Sequence, residues 1–340
     1  MSQSVAKEPH PPLWKAWVVA SRPHTLTASV SPVLVGHFFT KSVLGDRHDG
    51  WVTWLWLCFC MTIQLATNLH NDYADFVKGA DTESRVGQAR ATQKGWLSPF
   101  ATAAGSSFCL LVSLLSGVTL LHRTKYLESP VGWAVILSSM FNAVAYTGGP
   151  YPLGYLGLQD VSIAYWGLGD IFVFLYFGQV ATVMIPFLSL PDAYVWDAML
   201  LACPVGWIST CIIIVNNLRD RHTDVLANKR TTAVRFGAGY CQVVYVLQMV
   251  LSYGMTALFA VHFGDTTKAD GGIAWRMFLP LLSIPLAIPC IRAIFVLEGQ
   301  PLNSYLGATA RVELAYSVLL SVAMSMGERR DDVPGFRQEL

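Results

Sequence analysis

Two stretches of this chain set acids and amides at helical spacing. One runs Asn68-Leu69-His70-Asn71-Asp72-Tyr73-Ala74-Asp75-Phe76-Val77-Lys78-Gly79-Ala80-Asp81, the other Asn216-Asn217-Leu218-Arg219-Asp220-Arg221-His222-Thr223-Asp224. A helix running to about Val77 carries Asn68, Asn71, Asp72 and Asp75 on one face, at i, i+3, i+4 and i+7. Gly79 then ends the helix and frees Asp81 to fold back. In the second stretch the stripe is Asn217, Asp220 and Asp224. Both stretches continue apolar segments, where acids without a cation or partner are costly. Mg²⁺ answers that need, because it takes one or two protein carboxylates and completes its shell with waters and substrate phosphates. Basic residues follow both stripes, Lys78, Arg85, Arg90 and Lys94 after the first and Lys229, Arg230 and Arg235 after the second, as a diphosphate cradle requires.

The elements that must position these residues are membrane helices. Of 340 residues, 53% are hydrophobic and only 13% charged, against roughly 25% charged in an average soluble domain. Nine apolar segments are expected: 24 to 40, 51 to 67, 100 to 121, 131 to 147, 161 to 185, 197 to 215, 240 to 262, 277 to 296 and 312 to 326. They lack the period-two alternation of barrel strands, so the class is an all-α integral membrane protein. This divides the chain into an interfacial segment (1–23), one nine-helix transmembrane domain (24–326) and a polar tail (327–340). Most of the 23 Lys and Arg fall on the side of the N-terminus and the two acidic stretches, which places that side in the cytoplasm or its organellar equivalent. The seven cysteines sit in apolar segments without metal-site spacing and read as core. The first 13 residues hold no long apolar run, so a removable secretory signal is not expected.

At the acidic stretches the sequence resembles the UbiA superfamily of intramembrane prenyltransferases, and within it the 1,4-dihydroxy-2-naphthoate polyprenyltransferases of menaquinone and phylloquinone synthesis. The resemblance is carried by Ser21-Arg22-Pro23, Asn68 through Asp81, Arg85 through Arg90, Gln93-Lys94-Gly95, Tyr146-Thr147, Gly167-Leu168-Gly169-Asp170, Phe177-Gly178, and Asn216 through Asp224 with Lys229, Thr231, Arg235 and Gly237. It implies nine transmembrane helices around a central cavity. Asp75 and Asp81 are separated by five residues, where 4-hydroxybenzoate enzymes commonly show Asp-x-x-Asp-x-x-x-Asp, and this favours the naphthoate group. Between Tyr146 and Gly167 the chain is longer than the family pattern, so Asp160 and Asp170 both compete for a third functional acid; the Gly-Leu-Gly-Asp context favours Asp170.

What the resemblance implies for chemistry is Mg²⁺ held by Asn71, Asp72, Asp75 and Asp81 on one bank and by Asn217, Asp220 and Asp224 on the other. The metal would neutralise charge on the leaving diphosphate. The ring of the dihydroxynaphthoate then attacks the allylic carbon and loses CO₂, giving a demethylated naphthoquinol. Asp75, Asp81, Asp220, Asp224 and Asp170 are the expected catalytic acids. Expected substrate contacts are Arg22, Asn68, Asn71, Lys78, Arg85, Arg90, Lys94, Tyr146, Asn217 and Lys229. The partners are a polyprenyl diphosphate, an aromatic acceptor acid and membrane lipid, with no nucleic acid and no oligomeric state specified. The alternatives are the same chemistry on homogentisate or 4-hydroxybenzoate, and a cation-coupled transporter. A transporter places its acids near the midplane, whereas here they cluster at helix ends.

Overall fold

A computed structural model describes residues 10–79, 86–148, 163, 166–264 and 272–327. The chain enters through a short helix, α1 (Leu13–Ser21), whose Leu13, Trp14 and Val18 are exposed while Ala16 and Ala20 are buried. That division suits a helix lying in the membrane interface. Helix α2 (Pro23–Leu44) follows, then α3 (Gly50–Val77), α4 (Pro99–Arg123) and α5 (Pro130–Gly148). Next come α6 (Gly169–Ser189), α7 (Asp192–Leu226) and α8 (Thr232–His262). The last two are α9 (Trp275–Val296) and α10 (Asn303–Ser325). Among the described residues seven of these ten helices, all except α1, α2 and α5, are long and apolar enough to cross a membrane, fewer than the nine expected. Helix α2 has 22 residues but spends many on buried hydroxyls such as Ser29, Ser31 and Thr40, and α5 has only 19.

Apolar residues on the outer faces of the bundle, such as Phe108, Leu111, Leu115, Val243, Leu247 and Val250, are exposed as lipid contacts require, which makes this a multi-pass integral membrane protein. The interior is built as two halves. One packs Val33 of α2 with Trp56 and Phe59 of α3, Leu120 and Leu121 of α4, Ile136 of α5 and Ile185 of α6. The other packs Val35 of α2 with Ile208 and Cys211 of α7, Tyr245 of α8, Cys290 of α9 and Tyr316 of α10. Helix α2 thus belongs to both.

Glycines set the closest approaches. A Cβ at Gly178 of α6 would lie 2.5 Å from Gly206 Cα of α7, and one at Gly36 of α2 would lie 2.2 Å from the Thr182 carbonyl oxygen. Such small-residue contacts let helix backbones pack tightly in lipid. Between Phe174 and Val180, α6 widens into π-helical turns, a distortion common at functional sites. Just beyond them the Ala181 carbonyl is capped by the Trp56 indole N–H at 2.8 Å.

Helix α3 runs to Val77 with Gly79 at φ +66°, as the sequence predicts. Helix α7 likewise carries the whole second stretch within its 35 residues. The last helix begins at Asn303, well before the apolar segment at 312. Its first turns bury small or polar residues such as Thr309 and Ala310, which leave no hydropathy signal.

Candidate active site

A cavity of about 490 Å³ opens between the two halves. Its mouth is lined by Arg22, Asn71, Asp75, Arg90, Asn217, Arg219, Asp220, Asp224 and Lys229, and its inner wall by Trp56, Phe59, Ile63, Phe177, Val180 and Ile213. One end is therefore ionic and the other apolar. A ligand with a charged head and a hydrocarbon tail matches that gradient.

On the first bank, Asn68, Asn71 and Asp75 line the cavity, while Asp72 does not. At 100° per residue, Asn71 and Asp72 cannot face the same way, and the stripe is too wide for one cavity wall. Asp72 turns to the following loop, where its Oδ2 accepts from the Thr92 backbone N–H and hydroxyl, both at 3.3 Å. It anchors the basic loop from outside the cavity wall on which the metal ligands were expected. Asp75 is 1% exposed and held by two cations, Arg90 Nη2 at 2.9 Å and Lys229 Nζ at 3.3 Å. Arg90 Nε also lies 3.7 Å from Asp72, so one guanidinium spans both acids.

The amides divide their groups between scaffold and cavity. Asn68 accepts from Gln64 at 3.3 Å and donates to the Ser21 carbonyl at 2.9 Å and the Thr25 hydroxyl at 3.0 Å. It therefore fixes the corner between α1 and α2, where Arg22 sits at φ 49° with its side chain lining the cavity. Asn71 accepts from the Thr147 hydroxyl. Lys78, expected at the phosphate, donates instead to the Thr147 carbonyl at 2.6 Å, and its partial burial lowers its pKa below the usual lysine value. Lys94 is exposed and is not among the cavity-lining residues. Tyr146 lines the cavity beside Gly169, where an added Cβ would come within 3.0 Å of its hydroxyl. Asp81, Arg85 and Asp160 lie outside the described residues.

On the second bank Asn217, Asp220 and Asp224 all line the cavity. Asp170 stands behind them: it accepts from Asn217 Nδ2 at 3.2 Å and from the Thr232 hydroxyl at 2.9 Å. With its N–H₂ committed to Asp170, Asn217 has its carbonyl oxygen left for the cavity. Asp170, expected among the catalytic acids, is not among the cavity-lining residues and meets the cavity through Asn217. Asp224 accepts from the Thr231 hydroxyl at 3.4 Å.

Sequence reasoning missed Arg219. It is 4% exposed and forks onto Asp220 at 2.8 and 2.5 Å, while also holding Asn216 Oδ1 at 2.7 Å and Asn303 Oδ1 at 2.8 Å. Asn303 in turn donates to the Val86 carbonyl at 3.1 Å, tying α10 to the basic loop. Arg219 was visible as a cation next to Asp220 in the second stretch. Asn303 lies 84 positions away and carries no local signal.

The donor set fits Mg²⁺. Asp75, Asn217, Asp220 and Asp224 present hard oxygens at the mouth of one cavity. A site of that kind leaves coordination positions to water and substrate phosphate, as Mg²⁺ prefers.

Residues 29–299 match the UbiA prenyltransferase family. The 1,4-dihydroxy-2-naphthoate octaprenyltransferase of Haemophilus influenzae is 30% identical over 326 residues, covering 92% of this chain and 96% of that protein. The 2-carboxy-1,4-naphthoquinone phytyltransferase of Synechocystis is 25% identical, covering 88% and 89%. Among solved structures, a UbiA homolog from Archaeoglobus fulgidus bound to DMAPP and Mg²⁺ shares the fold at a TM-score of 0.50 and 14% identity, over 90% of this chain and 99% of that one.

Proposed function

The chain belongs to the UbiA prenyltransferase family, and on that premise we propose that it transfers a polyprenyl group from its diphosphate to 1,4-dihydroxy-2-naphthoate, with loss of CO₂ and release of diphosphate. The observation that carries this reading is the pairing of two acid-and-amide banks at the mouth of one cavity whose inner wall is apolar. Relatives named for naphthoate prenylation over nearly the whole chain supply the acceptor.

Asp75, Asn217, Asp220 and Asp224 would hold Mg²⁺, which when bound supplies Lewis-acid stabilisation of the leaving diphosphate. Arg22, Arg90 and Lys229 line the same mouth and add positive charge for the phosphate oxygens. Arg219 holds Asp220 in place and Asp170 holds Asn217, so the banks are organised before substrate arrives. Trp56, Phe59 and Phe177 line the apolar wall and exclude water from the region where the allylic carbon gains positive character. The mouth faces the cytoplasm or its equivalent in this proposal, in line with its Lys and Arg. A cysteine placed at Lys94 should then label with an impermeant reagent from that side alone.

The direct test is purified protein with 1,4-dihydroxy-2-naphthoate, a panel of prenyl diphosphates and Mg²⁺, with EDTA and Asp75→Ala as controls. Prenylated product that disappears in both controls is expected. Diphosphate release without a naphthoate adduct would overturn the acceptor and leave the metal site standing.

A further inference from the structure

Glu313 is a fully buried carboxyl group on α10, within the bilayer-spanning part of the fold, and none of the steps above uses it. Ionisable groups at such depth are costly and are retained where they act. Its Oε1 accepts from the Ser209 hydroxyl of α7 at 2.7 Å. Its Oε2 has no hydrogen-bond partner among the described residues. A cross-link between two helices would need only a pair of neutral hydroxyls, without a half-satisfied carboxyl group.

Ser209 lines the cavity, eight residues before Asn217 on the same helix face, about 12 Å deeper into the membrane at 1.5 Å per residue. The surrounding inner wall is apolar. Because the Ser209 proton is committed to Glu313 Oε1, the hydroxyl offers the cavity only lone pairs. The group that fits there is a donor O–H. A second hydroxyl on the same cavity, that of Ser29 on α2, is buried and also without a hydrogen-bond partner among the described residues.

We propose that Ser209, polarised by Glu313, is a subsite of the cavity that accepts a hydrogen bond from a ring hydroxyl of the aromatic acceptor. This rests on the prenyl-transfer reading. A polyprenyl tail carries no donor and cannot satisfy the site, whereas a dihydroxylated ring carries two. Ser209 touches the acceptor, and Glu313 acts through Ser209 as a positioning residue. A hydrogen bond drawn from a ring hydroxyl raises electron density in the ring that attacks the allylic carbon.

The experiment compares wild type, Ser209→Ala, Glu313→Gln and Glu313→Leu, using 1,4-dihydroxy-2-naphthoate and its two mono-O-methyl ethers as acceptors. In Ser209→Ala and Glu313→Leu the acceptor KM should rise about tenfold, the scale of one lost hydrogen bond to a polarised group, with the KM for prenyl diphosphate within about twofold of wild type. Glu313→Gln, which keeps an acceptor for the Ser209 proton, should recover most of the loss. The ether lacking the contacted hydroxyl should bind wild type and Ser209→Ala equally. If Ser209→Ala loses the same factor with all three acceptors, the site holds only a water, and the proposal is overturned; it is also overturned if neither KM moves. Failure of the wild type to prenylate the naphthoate sinks the acceptor reading separately. The same comparison then runs on whichever phenol it does prenylate, and the subsite stands or falls there; no turnover of any phenol removes both.

Discussion

Lys229 and Asp75 stand on opposite banks of the cavity, 154 positions apart, with Nζ 3.3 Å from Oδ1. A lysine from the loop after the second acidic helix thus closes on the central acid of the first. The contact joins the two halves at the point where the diphosphate would bind.

Lys229→Met should raise the KM for prenyl diphosphate about tenfold, the scale of one charge-assisted hydrogen bond, without raising the Mg²⁺ concentration needed for half activity. Removing a cation beside Asp75 makes the site more favourable to metal and less favourable to phosphate. Steady-state kinetics at varied Mg²⁺ separate the two effects. An unchanged diphosphate KM would leave Lys229 a purely structural link.

Asp72 and Asp75 should differ although three residues apart. Asp75→Asn removes a cavity carboxylate and should lower kcat about 100-fold or more, as loss of one electrostatic contributor to a transition state does. Asp72→Asn should loosen the loop at Thr92 and lower thermal stability, while leaving the Mg²⁺ dependence of the remaining activity unchanged. A Mg²⁺ titration of Asp72→Asn that shifts like that of Asp75→Asn would restore Asp72 to the ligand set.

Asp170→Asn tests how Asn217 is oriented. An asparagine at position 170 can donate as well as accept, so the Asn217 amide is free to turn over and lose the outward carbonyl. Activity should fall about tenfold and recover in part at high Mg²⁺. A variant with wild-type Mg²⁺ response would show that the amide does not face the metal.

On the opposite side of the membrane, Asp49 caps α3 through the Trp51 N–H at 3.0 Å and pairs with Arg123 at 2.5 Å. The Arg123 hydrogen bond is the main reason its pKa lies below the usual aspartate value of 3.8. A depressed carboxylate adds stability above the unfolded pKa and loses it as pH falls through the folded one. Asp49→Asn keeps the cap and removes the pair, which is exposed and largely screened by solvent. Its small deficit in melting temperature at neutral pH should close as pH is lowered below 3.8.

Gly178→Leu should abolish folding and Gly178→Ala should destabilise by about 1–3 kcal/mol, because any Cβ meets the Gly206 backbone at 2.5 Å. Detergent-phase thermal unfolding reads this. Wild-type stability in Gly178→Ala would mean that α6 and α7 can separate without cost.

The sequence by itself determined the membrane class, the two acidic stretches and the extension of α3 and α7 through them, and it suggested the Mg²⁺ and diphosphate chemistry proposed above. All of these follow from local spacing and from composition, since helical periodicity and hydropathy are properties of neighbouring residues. Only the tertiary structure decided which way each side chain turns. It sent Asp72 to Thr92, Lys78 to the Thr147 carbonyl and Asp170 behind Asn217. It also brought Lys229 to Asp75, Asn303 to Arg219 and Glu313 to Ser209. A helix face is broad enough to serve both a cavity and a neighbouring loop, and long-range pairs depend on how the two halves pack. A stripe in the sequence names the candidates, and the neighbours supplied by packing assign them.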